Sequence, residues 1–240
     1  MLRAFFITDP LIVLATIVYG TASFVVSFFD RDRRKQNAVE RAWGRALLAV
    51  SGVKVKVEGL EKIERDGSYI FVSNHLSYMD TPVALGNIPV RFRFLAKRGL
   101  FQIPFLGWHL GRAGHIQVPR EDARAAVKTM TLAAQVVRDE GISLLIFPEG
   151  GRSRTGEMRD FKEGAAFIAI KAGVPLVPMA LKGTREVLPF GSGIVKPGSV
   201  TMRIGDPMST TGASPHDRVR LTEELRHRIV ALLEEHPIHV

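Results

Sequence analysis

The residues best suited to chemistry are His75 and Asp80, which stand five positions apart in the segment Asn-His-Leu-Ser-Tyr-Met-Asp. An imidazole can accept a proton near neutral pH, and a carboxylate on its second ring nitrogen would fix the tautomer and stabilise the imidazolium. A regular helix turns about 500° over five residues, which would leave the two side chains about 140° apart. They can therefore meet only if His75 precedes a helix and Asp80 reaches back from its first turn. No serine or cysteine partner is obvious, so the pair would most simply activate a hydroxyl or water brought by the substrate.

The same segment also allows a purely structural interpretation. Ser77 and Asp80 match the capping-box pattern, in which the acidic side chain only satisfies backbone N–H groups at the start of a helix. This short pattern does not by itself decide between capping and catalysis.

A second group of candidate residues lies in the segment 147–154, directly after the apolar run Leu-Leu-Ile. Gly150 and Gly151 would let the backbone approach an anion. Arg152 and Arg154 add guanidinium groups whose fork geometry suits phosphate. For Glu149 we expect a structural partnership with an arginine. The alternative for the whole segment is a surface turn with solvated charges.

Two further segments have weaker signals. Residues 114–120 read as a short strand that ends in Arg120, which would either reach the same anion or begin the following helix. Residues 174–179 form an apolar strand with Pro175 and Pro178, typical of an edge strand or of the floor of a sheet that at most lines an apolar groove.

The elements that must position these residues are short β-rich runs alternating with helical segments. His75 follows such a run, so its imidazole would lie at the rim of a sheet. The predicted strands are 53–57, 69–72, 92–95, 143–147, 175–181 and 200–204, and the clearest helices are 122–139 and 215–235. The alternation predicts an α/β fold with a mixed, largely parallel β-sheet flanked by helices.

The N-terminal region has a different character. Residues 11–29 contain no charged side chain and are long enough for a membrane-spanning helix, and the basic segment 30–35 follows at once. The positive-inside rule places that end in the cytoplasm, whether the helix spans the bilayer or lies in one leaflet. A second helix is predicted over 37–51, with Gly52 ending it. We therefore expect a membrane-associated helical hairpin in residues 1–51 and a globular domain in residues 52–240.

Composition narrows the classes of function. The 240 residues include no cysteine, which excludes disulfides, zinc–thiolate sites and thiol nucleophiles. The net charge of +9 attracts phosphates, but no helix-turn-helix, zinc-finger or RNA-binding aromatic motif accompanies it. The basic residues favour a membrane surface and a small anionic ligand over nucleic acid.

Four segments, taken in chain order, resemble the signature blocks of the glycerolipid acyltransferase family, most closely its 1-acylglycerol-3-phosphate acyltransferases. The first block is Asn-His-x4-Asp, at residues 74–80. The second has a lysine, Pro-x-x-Gly and a strand-ending arginine, here Lys97, Pro104, Gly107 and Arg120. The third is Phe-Pro-Glu-Gly-Thr-Arg-Ser, here 147–153 with glycine in the threonine position, and the fourth is Val-Pro-x-x-Pro, here 174–178. The resemblance covers residues 53–204.

This resemblance implies acyl transfer to the free sn-2 hydroxyl of 1-acyl-sn-glycerol 3-phosphate, giving phosphatidic acid in phospholipid biosynthesis. His75 would be the general base and Asp80 its partner, with acyl-CoA or acyl-carrier protein as the donor and no metal or other cofactor. The protein would act at the cytoplasmic face of the cell membrane, anchored through residues 1–51. The implied substrate-binding residues are Asn74, Lys97, Arg120, Glu149, Gly150, Gly151, Arg152 and Ser153.

Other functions remain open at this point. The acceptor could be lyso-ornithine lipid, another lysophospholipid or glycerol 3-phosphate. A thioesterase would use the same pair with water as nucleophile, whereas a non-catalytic membrane-binding module would explain the anchor and charge but not four ordered blocks.

Overall fold

The computed structural model describes residues 4–119 and 123–234. Its helices are α1 Asp9–Val26, α2 Arg34–Ser51, α3 Asp80–Asn87, α4 Leu106–Ala113, α5 Ala123–Glu140, α6 Gly164–Ala172, α7 Thr184–Val187 and α8 Arg218–Glu234. Its strands are β1 Val53–Glu58, β2 Ile70–Ser73, β3 Phe92–Lys97, β4 Ile116–Val118, β5 Ser143–Ile146, β6 Leu176–Lys182 and β7 Gly198–Ile204. Every strand predicted from the sequence is present within a few residues of its predicted bounds.

The strands form one seven-stranded sheet in the order β1-β7-β6-β2-β5-β3-β4. Strands β6, β2, β5, β3 and β4 are parallel, and β7 runs antiparallel to β6 while pairing in parallel with β1. The predicted mixed, largely parallel sheet is therefore confirmed. In such a sheet the carboxyl ends of the parallel strands share one edge, which is where ligands usually bind.

Apolar layers cover both faces of the sheet, which explains why its central strands read as continuous hydrophobic runs. On β2, Phe71 packs into one core cluster with Val83 of α3, while Ile70 and Val72 pack into the other with residues of α6 and α8. All three β2 side chains are fully buried. This central strand ends immediately before Asn74 and His75, so the candidate histidine directly follows one of the most deeply buried parts of the fold.

Strand β6 lies inside the sheet, between β7 and β2, so the edge-strand alternative for residues 174–179 is wrong. A central proline is accommodated because the pairing on one side of β6 is interrupted there. Leu176 pairs with Met208, the ladder to β7 begins at Met179, and the carbonyl of Pro178 accepts the N–H of Gly205 at 2.8 Å. Pro178 lies between the two pairings, where a missing N–H breaks no ladder.

Helices α1 and α2 form an N-terminal hairpin, as predicted. The Nε1–H of Trp43 in α2 donates to Thr16 Oγ1 in α1 at 3.3 Å. Residues Phe6–Val26 form an apolar helix of 21 residues with mean hydropathy 1.7. Within its 18-residue apolar stretch, 6% of the residues are buried. By length and composition it could cross a membrane. Many of its large apolar side chains are exposed, among them Phe6, Ile7, Leu11, Val13, Leu14, Ile17, Val18 and Val25.

A buried polar network fastens this hairpin to the sheet domain. Glu40 of α2 accepts hydrogen bonds from the Nε2 atoms of His109 (3.0 Å) and His115 (2.7 Å). His109 Nδ1 lies 2.6 Å from Ser23 Oγ in α1. Burial raises the pKa of Glu40, but the electrostatic interaction with His115 and the hydrogen bonds from both histidines outweigh it and lower the pKa to about 2.

The three side chains have the spacing of a metal site, since their ligand atoms lie within 4.8 Å of one another. However, His115 Nδ1 accepts the backbone N–H of Phe94 at 3.0 Å, which assigns the His115 proton to Nε2, the atom facing Glu40. A protonated nitrogen cannot ligate a cation. The arrangement is therefore that of a hydrogen-bonded network around one carboxylate.

Candidate active site

The structure brings His75 and Asp80 together at the carboxyl end of β2. His75 Nδ1 lies 2.8 Å from Asp80 Oδ2, with the carboxylate fully buried and the histidine 8% exposed. His75 lies in the turn before α3, and Asp80 is the first residue of that helix. This is the geometry that the five-residue spacing requires.

Asp80 also satisfies backbone groups, so capping and pairing do not compete. Its Oδ2 accepts the N–H groups of Leu76 at 2.8 Å and Ser77 at 2.9 Å, in addition to the imidazole. Ser77 Oγ accepts the N–H of Met79 and donates to the carbonyl of Leu188 at 2.8 Å. The turn is thereby held rigid, and the same oxygen that holds it also orients the histidine.

The segment 147–153 holds His75 from the other side. The backbone N–H of His75 donates to Glu149 Oε1 at 2.7 Å, and its carbonyl accepts the N–H of Ser153 at 3.1 Å. The imidazole stacks on the ring of Phe147, with centroids 3.9 Å apart and planes 14° from parallel. Two motifs that are distant in the sequence therefore position one residue.

Glu149, for which the sequence predicts a structural partnership with an arginine, bonds to backbone groups. Its Oε2 accepts the backbone N–H of Arg159 at 2.9 Å, so its described hydrogen bonds all go to backbone groups rather than to an arginine side chain. Burial raises the pKa of this carboxyl, and the hydrogen bonds from Arg159 and His75 oppose the rise. At 3% exposure, Glu149 braces the histidine loop and has little surface for a substrate.

The side chains of Asn74 and Ser153, which the resemblance implies as substrate-binding residues, make hydrogen bonds within the fold. The amide of Asn74 donates to the carbonyl of Leu181 at 2.9 Å and accepts its N–H at 2.8 Å, extending the pairing of β2 with β6. Ser153 Oγ accepts the N–H of Gly156 at 3.1 Å. Both side chains are about 1% exposed.

Arg152 lies beside the pair and stacks on an aromatic side chain. Its guanidinium carbon lies 3.7 Å from the centre of the Tyr78 ring, and Tyr78 stacks on Phe190 with centroids 6.5 Å apart. Arg154 lies over Phe190, with its guanidinium carbon 5.8 Å from the centre of that ring. Tyr78 is half exposed, so two arginines flank an accessible aromatic pair next to His75. Sequence reasoning missed Tyr78 and Phe190, because no spacing rule connects residues so far apart in the chain.

Gly150 and Gly151 differ in how well their backbone conformations would tolerate a larger residue. Gly150 has a φ of 70°, which favours glycine. Gly151 has an ordinary φ, and a Cβ placed there would meet only Arg159 Nη1, at 3.6 Å. The Cβ of a threonine, the residue of the resembling family, would therefore fit at position 151.

Lys97 is exposed at the carboxyl end of β3, on the same sheet edge as His75. Arg120 lies outside the described residues. The segment that leads to it, β4, ends at that edge as well.

Comparison with known proteins places this geometry in context. A sequence profile described as Acyltransferase matches residues 54–182. A chloroplastic 1-acyl-sn-glycerol-3-phosphate acyltransferase of Brassica napus, BAT2, is 35% identical over 223 residues, 91% of this chain and 62% of that protein. A 1-acyl-sn-glycerol-3-phosphate acyltransferase of Borreliella burgdorferi is 33% identical, over 81% of this chain and 77% of that one.

A solved structure is also similar over nearly the whole length. It is the crystal structure of the 1-acyl-sn-glycerophosphate acyltransferase PlsC from Thermotoga maritima, with a TM-score of 0.80, 29% sequence identity and 98% of each chain covered. By contrast, this chain spans 62% and 51% of the length of two chloroplastic plant relatives.

Proposed function

We propose, from the premise that this chain belongs to the acyltransferase family, that it transfers a fatty acyl group to the sn-2 hydroxyl of 1-acyl-sn-glycerol 3-phosphate. The product would be phosphatidic acid, made for phospholipid biosynthesis. The observation that carries the proposal is the His75–Asp80 pair, held at the carboxyl edge of the sheet. The acceptor is assigned from the names of the relatives, which are 1-acyl-sn-glycerol-3-phosphate acyltransferases.

In the proposed mechanism His75 is the general base. Asp80 accepts from Nδ1, which assigns the ring proton to that atom and makes Nε2 the basic nitrogen. Nε2 removes the proton of the acceptor hydroxyl as its oxygen attacks the thioester carbonyl carbon. The Asp80 carboxylate stabilises the imidazolium that forms, and general base catalysis of this kind typically contributes about 10²–10⁴-fold.

The remaining steps need no group on the protein to become acylated. Attack gives a tetrahedral intermediate with a negative oxygen, and its collapse breaks the carbon–sulfur bond. The departing thiolate takes up the proton held by His75, which returns the imidazole to its starting state. The donor is acyl-CoA or acyl-carrier protein, and neither a metal nor another cofactor enters the reaction.

The acceptor phosphate is assigned to the arginine side of the site. Arg152 and Arg154 flank the accessible Tyr78–Phe190 pair beside His75, and guanidinium groups bind phosphate in bidentate fashion. Lys97 and Arg120 would add positive charge at the same edge of the sheet. Glu149 and Ser153 are assigned to positioning His75, because Glu149 Oε1 accepts the backbone N–H of His75 and the N–H of Ser153 donates to the His75 carbonyl.

The hairpin is proposed to attach the protein to the cytoplasmic face of the membrane. Helix α1 lies along the protein, with Thr8 near one end and Ser23 near the other both buried. This packing favours a helix that lies in one leaflet over one that spans the bilayer. The exposed apolar side chains of α1 would enter the lipid, and the basic residues of the segment 30–35 would face anionic headgroups.

The test is an acyl-transfer assay over a panel of acceptors, with products identified by lipid mass spectrometry. The panel contains 1-acyl-sn-glycerol 3-phosphate, glycerol 3-phosphate, lyso-ornithine lipid and a zwitterionic lysophospholipid. We expect the highest kcat/KM with 1-acyl-sn-glycerol 3-phosphate. A preference for another acceptor would overturn the acceptor assignment, and release of free fatty acid without acylated lipid would identify a thioesterase.

A further inference from the structure

A second cationic cleft lies apart from the candidate active site. It has a volume of about 870 Å³ and runs between α2 and three turns of the sheet domain. Those turns contain Arg65, Arg91 and Gly141, which come shortly before β2, β3 and β5. The cleft therefore lies at the amino ends of the parallel strands, on the edge of the sheet opposite to His75.

Five arginines line this cleft. Arg34, Arg41 and Arg45 are spaced by seven and four residues, so they lie on one face of α2. Arg65 and Arg91 face them from the sheet domain. The small alanine side chains between the α2 arginines leave the cleft open.

The positive charges in the cleft are oriented but not neutralised. Arg45 Nε donates to the carbonyl of Gly86 at 3.1 Å, and Arg91 Nη1 donates to the carbonyl of Asp32 at 3.2 Å. Within residues 4–119 and 123–234, none of the five arginines forms an ion pair with a carboxylate. Asp66 is the one acidic residue among the described residues that line the cleft.

The mutual repulsion of these charges is visible at Arg41. This half-buried guanidinium has its pKa lowered, first by burial and then by the charge of Arg45. A bound anion would relieve that repulsion and would accept hydrogen bonds from several guanidinium groups at once. The cleft is therefore built for a ligand with more than one negative or acceptor oxygen.

We propose that this cleft binds the phosphate headgroup of an anionic phospholipid, as a site separate from the one for acyl transfer. Its chemistry would suit any phosphate, whether free or on a lipid. A lipid is favoured because Tyr19 of the apolar helix α1 forms one wall, and the neighbouring Ile17 and Val18 are exposed on that helix. A headgroup in the cleft would thus have its acyl chains beside the surface that enters the membrane.

The experiment measures binding to the full-length protein in a non-ionic detergent, by isothermal titration calorimetry at low salt. The ligands are short-chain phosphatidylglycerol, short-chain phosphatidylcholine and inorganic phosphate. The cleft variant is R41Q/R45Q, and the matched control is R220Q/R228Q, which removes two exposed arginines from α8. Arg65→Gln is the second cleft variant, because this exposed turn residue is the safest of the five to change without loss of folding.

We expect wild-type protein to bind phosphatidylglycerol more tightly than the other two ligands. R41Q/R45Q should bind it roughly 10- to 30-fold more weakly and Arg65→Gln roughly fivefold, since each basic residue near an anionic headgroup contributes about a fivefold factor. The control should bind like wild type. Unchanged binding by both cleft variants would overturn the proposal.

Three further outcomes would also overturn it. If Arg152→Ala weakens phosphatidylglycerol binding as much as the cleft variants do, the lipid occupies the catalytic site instead. If inorganic phosphate binds as tightly as the lipid, the ligand is a soluble anion. If phosphatidylcholine binds as tightly as phosphatidylglycerol, the arginines do not select the headgroup. None of these readouts depends on acyl transfer, so the proposed function can fail while this site stands, or the reverse.

Discussion

Replacing Asp80 with asparagine separates the electrostatic role of this residue from its structural one. All three described hydrogen bonds of the carboxylate go to Oδ2, from His75 Nδ1 and the N–H groups of Leu76 and Ser77. The buried Oδ1 has no hydrogen-bond partner among the described residues. An asparagine can therefore put its oxygen in the place of Oδ2 and its NH₂ group in the place of Oδ1. The turn and the histidine tautomer are kept, and only the negative charge is lost.

The size of the effect follows from the charge that is removed. An imidazolium and a carboxylate about 4 Å apart attract by roughly 4 kcal/mol at an effective dielectric constant of about 20. Since about 1.36 kcal/mol corresponds to a tenfold change in rate, kcat should fall by about 10²–10³-fold. The buried NH₂ group lacks a partner, so the free energy of unfolding should fall by only about 1–3 kcal/mol.

The assay compares kcat for acyl transfer and thermal unfolding for D80N and for Ser77→Ala. Ser77→Ala removes the hydroxyl that bonds to Met79 and Leu188 but leaves the His75–Asp80 pair in place. It should lower the unfolding temperature while changing kcat by less than about tenfold, since the loss of a hydroxyl hydrogen bond costs about 1 kcal/mol of stability. If D80N keeps kcat within about threefold of wild type, the carboxylate only caps the helix and the electrostatic reasoning is refuted.

Two further predictions concern residues around this pair, and a third concerns Glu40 in the buried network of the hairpin. Arg152→Ala should raise the KM for the acceptor by roughly 10- to 100-fold and the KM for the acyl donor much less, because a charge-assisted hydrogen bond is worth about 1.5–3 kcal/mol. An equal rise in the two KM values would show that Arg152 is not part of the phosphate subsite. Glu149→Gln can accept only one of the two backbone N–H groups that Glu149 accepts, so kcat should fall by roughly 10- to 100-fold while the pH profile of kcat stays unchanged. The exposed Glu157→Gln control should behave like wild type. If one limb of the pH profile disappears in Glu149→Gln, Glu149 is instead a proton-transfer group. Because the pKa of Glu40 is lowered, this carboxylate stabilises the fold above pH 4.5 by on the order of 3 kcal/mol, and that contribution is lost as the pH falls toward about 2. Glu40→Gln should therefore lack this part of the acid dependence of the unfolding temperature. An identical acid dependence in wild type and Glu40→Gln would show that Glu40 does not titrate as described.

The sheet and the His75–Asp80 contact were predictable because both depend on local patterns. Strand β2 is a continuous apolar run bounded by polar residues, which is how a strand buried on both faces appears in a sequence. His75 and Asp80 are only five residues apart in the sequence, so elementary helix geometry states when they can meet. Their contact needed no knowledge of the rest of the fold.

The hydrogen-bond partners of Asn74, Glu149 and Ser153 were not predictable in the same way. All three are polar residues in loops at the functional edge, where sequence favours ligand binding. Their side chains or backbone groups instead bond to Leu181, Arg159 and His75, contacts that depend on how β2, β5 and β6 assemble. A polar residue at a sheet edge faces either a ligand or its own backbone, and only the tertiary structure decides between them.

The central claim is that His75 takes the proton of the acceptor hydroxyl. The most direct test is phosphatidic acid formation from acyl-CoA and 1-acyl-sn-glycerol 3-phosphate, followed by mass spectrometry for wild type and His75→Ala, with thermal unfolding measured on both. The mechanism predicts that wild type forms phosphatidic acid, and that His75→Ala unfolds at a similar temperature but forms none above background. Substantial phosphatidic acid formation by folded His75→Ala would contradict it.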